Sequence, residues 1–353
     1  MGAYVHYSRI VEFTDKKWNP YMEQYALEEL DDALVMDIIK DTKIERIQIC
    51  NYFPEDKLCY LDKIFEHRKD ITFRIYGFYD THKCDISFLL KLPHVSRISM
   101  DYLREIEHIE VLKELHLTYL RFYVFDLKDY RILQELDSNL EELSIMYEAR
   151  GKAVFDCKWL LHFTNLKNLY LGKVSKNIEC IQECKNLDEL TLRGIKVKSL
   201  VFLKNTNVST LHIHWCSMSD LSTLCNNKNI RNLELWRIMK LEDVSFISTL
   251  ENLETLKLMD LSNIVSLPEL KNTRLKSISM DNIKNIKDIC SLVECKELEK
   301  VFIYGTKYIE VKDFLPLFEK ENLKYITLRG VGNKKVMEQI AQWNKRYKKE
   351  ELE

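Results

Sequence analysis

LKNLYL at 166–171, LDELTL at 187–192, VSTLHI at 208–213, IRNLEL at 230–235, LETLKL at 253–258, LKSISM at 275–280, LEKVFI at 298–303 and LKYITL at 323–328 share one spelling. An aliphatic residue, leucine in most copies, holds the first, fourth and sixth places, and other residue types fill the places between. From one start to the next the step is nearly constant, at about 21 to 25 residues, and a fixed period of this length marks a repeat array. That decides the reading of everything else in the chain. Working outward, the same spelling recurs at VSRISM (95–100), LKELHL (112–117) and LEELSI (140–145). Two weaker copies are IERIQI (44–49) and DITFRI (70–75), where Asp70 takes the first apolar place. Before 187 the steps are mostly longer, and the step from 95 to 112 is conspicuously short.

Alternation at the fourth and sixth places is the period of a strand with one buried face. Each copy is followed by a second apolar group, as in IKVKSLVFL (195–203) and VSFISTL (244–250), so the chain runs out along a strand and returns. One such turn buries about six aliphatic side chains at about 2 kcal/mol each. Ordering its backbone costs about 1–2 kcal/mol per residue over roughly 22 residues. A lone turn therefore does not fold, and stacking is obligatory.

Over about 44–331 the chain resembles the leucine-rich-repeat family. The resemblance implies an α/β solenoid of about 13 turns: a horseshoe with a parallel sheet on its concave face and short helical, 3₁₀ or irregular convex segments. One family feature is missing. Where many members carry a turn asparagine three residues after the last strand leucine, this chain has Val174, Ile195, Cys216, Ile238, Leu261, Ile283 and Val331. Apolar packing is expected in its place. Residues 1–43 read as an amino-terminal cap with a helix over 21–41. Residues 332–353 read as a carboxy-terminal capping helix that puts Val336, Ile340 and Trp343 on one face.

The 353 residues carry 53 Lys and Arg against 55 Asp and Glu, a formal charge of −2, so no global field draws the chain to nucleic acid or an anionic membrane. No apolar run approaches the length of a membrane span, and the first residues lack the basic flank and apolar stretch of an export signal. Ten scattered cysteines suit buried free thiols in a reducing compartment, and a cytoplasmic monomer is expected. Walker, GxGxxG, GxSxG and HExxH motifs are absent from the sequence, which contains only eight glycines. Neither a catalytic residue nor a cofactor is assigned.

In each turn the third, fifth, seventh and eighth places are left for the concave face and its edge. Those columns collect aromatic residues and arginine, the types enriched in binding hot spots. Three patches emerge: Tyr102, Tyr119 and Tyr147 at the eighth place with Tyr170 at the fifth; His212, His214, Trp215, Trp236 and Arg237; and Phe302, Tyr304, Tyr325 and Arg329. The bland alternative is cross-strand stacking that only stiffens the sheet. The function expected is a non-catalytic scaffold that holds a protein partner on its concave face. A dedicated inhibitor or a toxin-neutralising immunity protein is the narrower form, and a substrate-recognition adaptor is a further alternative. The competing class is an enzyme or metal-binding protein with chemistry in the cap or near His212 and His214. No metal is assigned there, because no third histidine or cysteine stands at ligand spacing.

Overall fold

A computed structural model describes residues 9–14, 17, 23–50, 53–77, 83–103, 105–125, 127–146, 153–306, 308–331 and 334–351. The chain divides into two compact units at Cys180/Ile181. In the first unit the strands are β1 (Arg9–Thr14), β2 (Glu23–Ala26), β3 (Ile44–Ile49), β4 (Thr72–Tyr76), β5 (Lys83–Asp85), β6 (Arg97–Leu103), β7 (Glu105–Glu107), β8 (Tyr119–Val124), β9 (Glu142–Met146) and β10 (Asn168–Gly172). Eight of them form a parallel sheet in the order β10-β9-β8-β6-β4-β3-β1-β2, while β5 and β7 pair separately. Helices α1 (Asp32–Lys40) and α2 (Leu58–His67) fill the longer early turns. Asp31 caps α1 by accepting the Leu34 amide.

The expected helix over 21–41 is therefore only partly helical: Glu23–Ala26 extends the sheet, Leu27–Glu29 is a 3₁₀ turn and Asp32–Lys40 is α-helical. The sheet begins before residue 44, since β1 pairs in parallel with β3. Asp70 points outward to Arg68, and the neighbouring Ile71 is buried.

The expected strand at 112–117 is not one. Ile109–Glu114 is a 3₁₀ helix, and the strand of that turn is Tyr119–Val124. Leu112 and Leu115 are both buried because residues three apart share a face in a 3₁₀ turn, the same spacing that opens LxxLxL. The true copy is LTYLRF (117–122), with Phe122 fully buried at the sixth place. Successive starts then fall at 95, 117 and 140, which is the even spacing of the later copies, and the short step disappears.

From Ile181 onward the strands are β11 (Glu189–Arg193), β12 (Thr210–His214), β13 (Asn232–Trp236), β14 (Thr255–Met259), β15 (Ser277–Asp281), β16 (Lys300–Tyr304) and β17 (Tyr325–Arg329), all parallel and in register. The fourth-place residues Leu190, Leu211, Leu233, Leu256, Ile278, Val301 and Ile326 are at most 1 % exposed, so one continuous apolar column runs beneath the strands. Three of the six return segments between these strands are single 3₁₀ turns, at Val201–Asn205, Ser222–Leu224 and Ser245–Thr249. Asp220, Asp243 and Asp288 start three of the return segments by accepting the amide two residues on.

Ile195, Cys216, Ile238, Leu261, Ile283 and Val331 are buried, as expected where the usual turn asparagine is missing. An asparagine ladder exists all the same, at a different place. Asn207, Asn229, Asn252 and Asn322, each just before the first apolar residue of its copy, donate Nδ2–H to backbone carbonyls of the preceding turn at 2.8–3.0 Å. These bonds satisfy carbonyls that the irregular segments leave unpaired.

The last strand is covered. α3 (Lys334–Tyr347) buries Ile340 and Trp343, the latter against Phe318 at 5.3 Å between ring centroids. Beyond the helix, the Ile326 amide donates to the Glu350 carbonyl at 2.9 Å, which closes part of the β17 edge.

Candidate functional site

The end of every strand in the second unit obeys one backbone rule. Gly194, Trp215, Arg237, Asp260, Asn282, Gly305 and Gly330 occupy the eighth place of successive turns, and all have φ between 51° and 72°. The amides of the first six donate to the seventh-place carbonyl of the next strand, after which the left-handed residue turns the chain off the sheet. Glycine, asparagine and aspartate tolerate this conformation, whereas other side chains are strained there by about 1 kcal/mol. The two exceptions, Trp215 and Arg237, stand side by side.

Around them the side chains interlock. The Trp215 and Trp236 rings meet edge to face at 5.5 Å, and the Arg237 guanidinium lies 4.2 Å above the Trp215 ring with Arg193 at 5.5 Å. Trp215 is 40 % exposed, so the cluster presents an indole to solvent. Trp236 Nε1–H donates to Asp260 Oδ2 at 3.0 Å, and Asn282 donates to the other carboxylate oxygen. Those two bonds, Asn282 first, hold the Asp260 carboxyl below its ordinary range.

Beside the cluster, on the fifth and seventh columns, His212 and His214 flank Glu234, which register places opposite His212 on the next strand. His214 Nε2 lies 2.8 Å from Glu234 Oε1, and His212 Nδ1 lies 3.5 Å from Oε2. Burial pushes the Glu234 carboxyl upward, but the hydrogen bonds to His212 and His214 outweigh it and leave the group well below the usual carboxylate range. Lys257 Nζ, 3.5 Å from Oε2, acts in the same direction. Glu234 did not stand out in the sequence because a ligand search along one strand does not see the next. The available signal was register: 234 is one repeat beyond 212. Cys216 is buried at the inward turn, apart from the histidines' face.

The third patch is spread over three columns. Phe302 stands opposite Thr327, half-exposed Tyr304 opposite Arg329, and Tyr325 opposite Lys300, whose ammonium lies 5.4 Å from the ring.

In the first unit the tyrosine ladder takes a different form. Tyr147 and the side chain of Tyr102 lie outside the described residues. With the strand at Tyr119–Val124, Tyr119 falls at the third place rather than the eighth, opposite Glu142, and the Arg97 guanidinium covers its ring at 4.7 Å. Tyr170 stands in another column, opposite Ser144. Tyr119 and Tyr170 therefore do not stack.

What dominates this sheet face is a charged network absent from the three expected patches. Asp101, 5 % exposed in its side chain, receives Arg74 at 2.7 Å and Arg121 at 2.6 Å from neighbouring strands. Arg97 forms two bonds to Glu142, at 2.9 and 3.3 Å. Fully buried Glu12 accepts from Tyr76 and Gln24. Arg97, Glu142, Arg74, Arg121 and Asp101 sit in the third, fifth and seventh columns, from which the three expected patches took only aromatic, histidine and arginine residues.

No protein-family model and no curated protein sequence matches the chain. Solved structures do match. An internalin of Listeria monocytogenes superposes with a TM-score of 0.50 at 14% identity, covering 88% of this chain and 94% of that one. A leucine-rich-repeat protein of Leptospira interrogans superposes with a TM-score of 0.51 at 16% identity, covering 90% of this chain and 80% of that one. At this identity the likeness establishes the fold.

Proposed function

Since the chain is a leucine-rich-repeat solenoid, we propose that it works as a non-catalytic protein-binding scaffold whose contact surface is the strand face around Trp215, Trp236 and Arg237. One observation carries the proposal: two large side chains in contact with each other occupy adjacent left-handed positions, where the other turns of the second unit use glycine, aspartate or asparagine and the turn before Gly194 uses Lys173. Backbone strain of this kind persists where something else depends on the side chains. A half-exposed indole backed by a second indole and an arginine has the composition of a pre-formed binding hot spot.

In its narrower form the proposal is a dedicated inhibitor that neutralises a toxin protein, with a substrate-recognition adaptor as the alternative use of the same face. The cytoplasmic setting belongs to the proposal too, as the reducing compartment that scattered cysteines suit. No helix is long and apolar enough to cross a membrane among the described residues.

The test is affinity capture from extracts of the source organism with the wild type and with a Trp215→Ala, Trp236→Ala, Arg237→Ala variant. The proposal expects a protein retained by the wild type and lost by the variant. Identical eluates would place the contact surface elsewhere.

A further inference from the structure

We propose that His212, His214 and Glu234 form a binding site for a divalent d-block cation of the kind that favours imidazole, with zinc(II) as its simplest probe. The three ligand atoms all lie within 4.8 Å of one another. Zinc bonds of about 2.0–2.2 Å to nitrogen and oxygen place neighbouring ligand atoms roughly 3.3–3.5 Å apart. The two histidine–glutamate separations, 2.8 Å to Oε1 and 3.5 Å to Oε2, lie near that value, and a turn of the carboxylate brings one oxygen within reach of both rings. The remaining separation closes by a small rotation of either half-buried ring. Strand geometry supplies the arrangement: residues 212 and 214 project from the same face of β12, and register sets 234 beside 212.

The surroundings fit this role. Glu189 Oε1 lies 3.6 Å from His212 Nε2, on the far side of the ring from Glu234. That separation is just beyond a hydrogen bond, and on metal binding the carboxylate can accept Nε2–H and so favour the tautomer that ligates through Nδ1, as outer carboxylates do for metal-bound histidines. Two imidazoles and one carboxylate complete only part of a tetrahedral shell, so the open positions face the solvent beside Trp236, whose ring lies 5.4 Å from His214. An ion there would accept a further ligand from whatever docks on this face. Lys257 is the opposing charge. Its ammonium, half-exposed and 3.5 Å from Glu234 Oε2, competes with the cation for that carboxylate.

The test uses the full chain without a partner, so it succeeds or fails independently of the protein-binding reading. Zinc chloride is titrated calorimetrically into the wild type and into His212→Ala, Glu234→Gln and Lys257→Ala. One equivalent is expected for the wild type, lost in the first two variants and bound several-fold more tightly in Lys257→Ala. A gain of affinity cannot come from misfolding. Cobalt(II) substituted for zinc should give visible d–d bands without a thiolate charge-transfer band. Absence of binding, wild-type affinity in His212→Ala, or a thiolate band pointing to exposed Cys59 or Cys290 would each overturn the proposal.

Discussion

Trp215 and Arg237 hold the same place in successive turns, both with left-handed backbones at φ 57° and 53°, and the guanidinium of one covers the indole of the other at 4.2 Å. Their conformation is set by the turn and their identity is not, because Gly194, Gly305 and Gly330 make the same turn with no side chain.

That separation between backbone and side chain yields a paired prediction. Arg237→Gly relieves about 1 kcal/mol of left-handed strain and forfeits an exposed cation–π contact of about 0.5–1 kcal/mol, so its stability should stay close to wild type. Arg237→Val removes the same guanidinium but places a β-branched residue at φ 53°. Urea denaturation should show Arg237→Val less stable than Arg237→Gly by about 1 kcal/mol or more.

Asp260 gives the pH dependence. Its carboxyl is held low by Asn282 and then by Trp236, so its folded value lies below the unfolded one of about 3.9. Stability from this shift is fully present above the unfolded value and is lost as pH falls through the folded value. Asp260→Asn should therefore be less stable than wild type by about 1 kcal/mol at pH 7, with the gap narrowing as solutions are taken below about pH 4. A gap that stays constant with pH would assign the loss to packing.

In the first unit Asp101 is the shared partner of Arg74 and Arg121, and Arg46 lies close enough to feel it. Burial, then the charge of Arg74, depresses the Arg46 guanidinium, so the site already carries excess positive charge. Asp101→Asn leaves these arginines unbalanced in a largely dehydrated place. The expected loss is roughly 3 kcal/mol, at the lower edge of values for breaking a buried pair from one side. Thermal unfolding would measure it, and a loss below about 1 kcal/mol would mean that water already screens the network.

Asn229 tests the relocated ladder. Its Nδ2–H reaches the Thr206 carbonyl at 2.8 Å, and Asn229→Ala should cost about 1 kcal/mol in urea denaturation, as should the same change at Asn207 or Asn252.

Much of the architecture was legible because burial imposes period on sequence. The strands from 187 onward lie where LxxLxL places them, since leucine at three fixed places and a nearly constant step leave one register. At 112–117 the same letters misled, because a 3₁₀ turn also buries residues three apart. The strands at Arg9–Thr14 and Glu23–Ala26 were hidden, since neither carries the repeat spelling and each is defined by what it pairs with. For the site, aromatic columns brought Trp215 and Trp236 forward. Glu234 and Asp101 gain their meaning from partners on neighbouring strands, a relation visible only when register is known to the residue.

The most direct test of the central claim, that the strand face of the second unit contacts a protein, is photo-crosslinking in the source cells. A photoreactive amino acid replaces Met259 or Tyr304 on the strands, or exposed Val201 or Val265 on the return segments. The account predicts a discrete protein adduct from the two strand positions and none from the other two. Adducts from Val201 or Val265 with blank strand positions would contradict it.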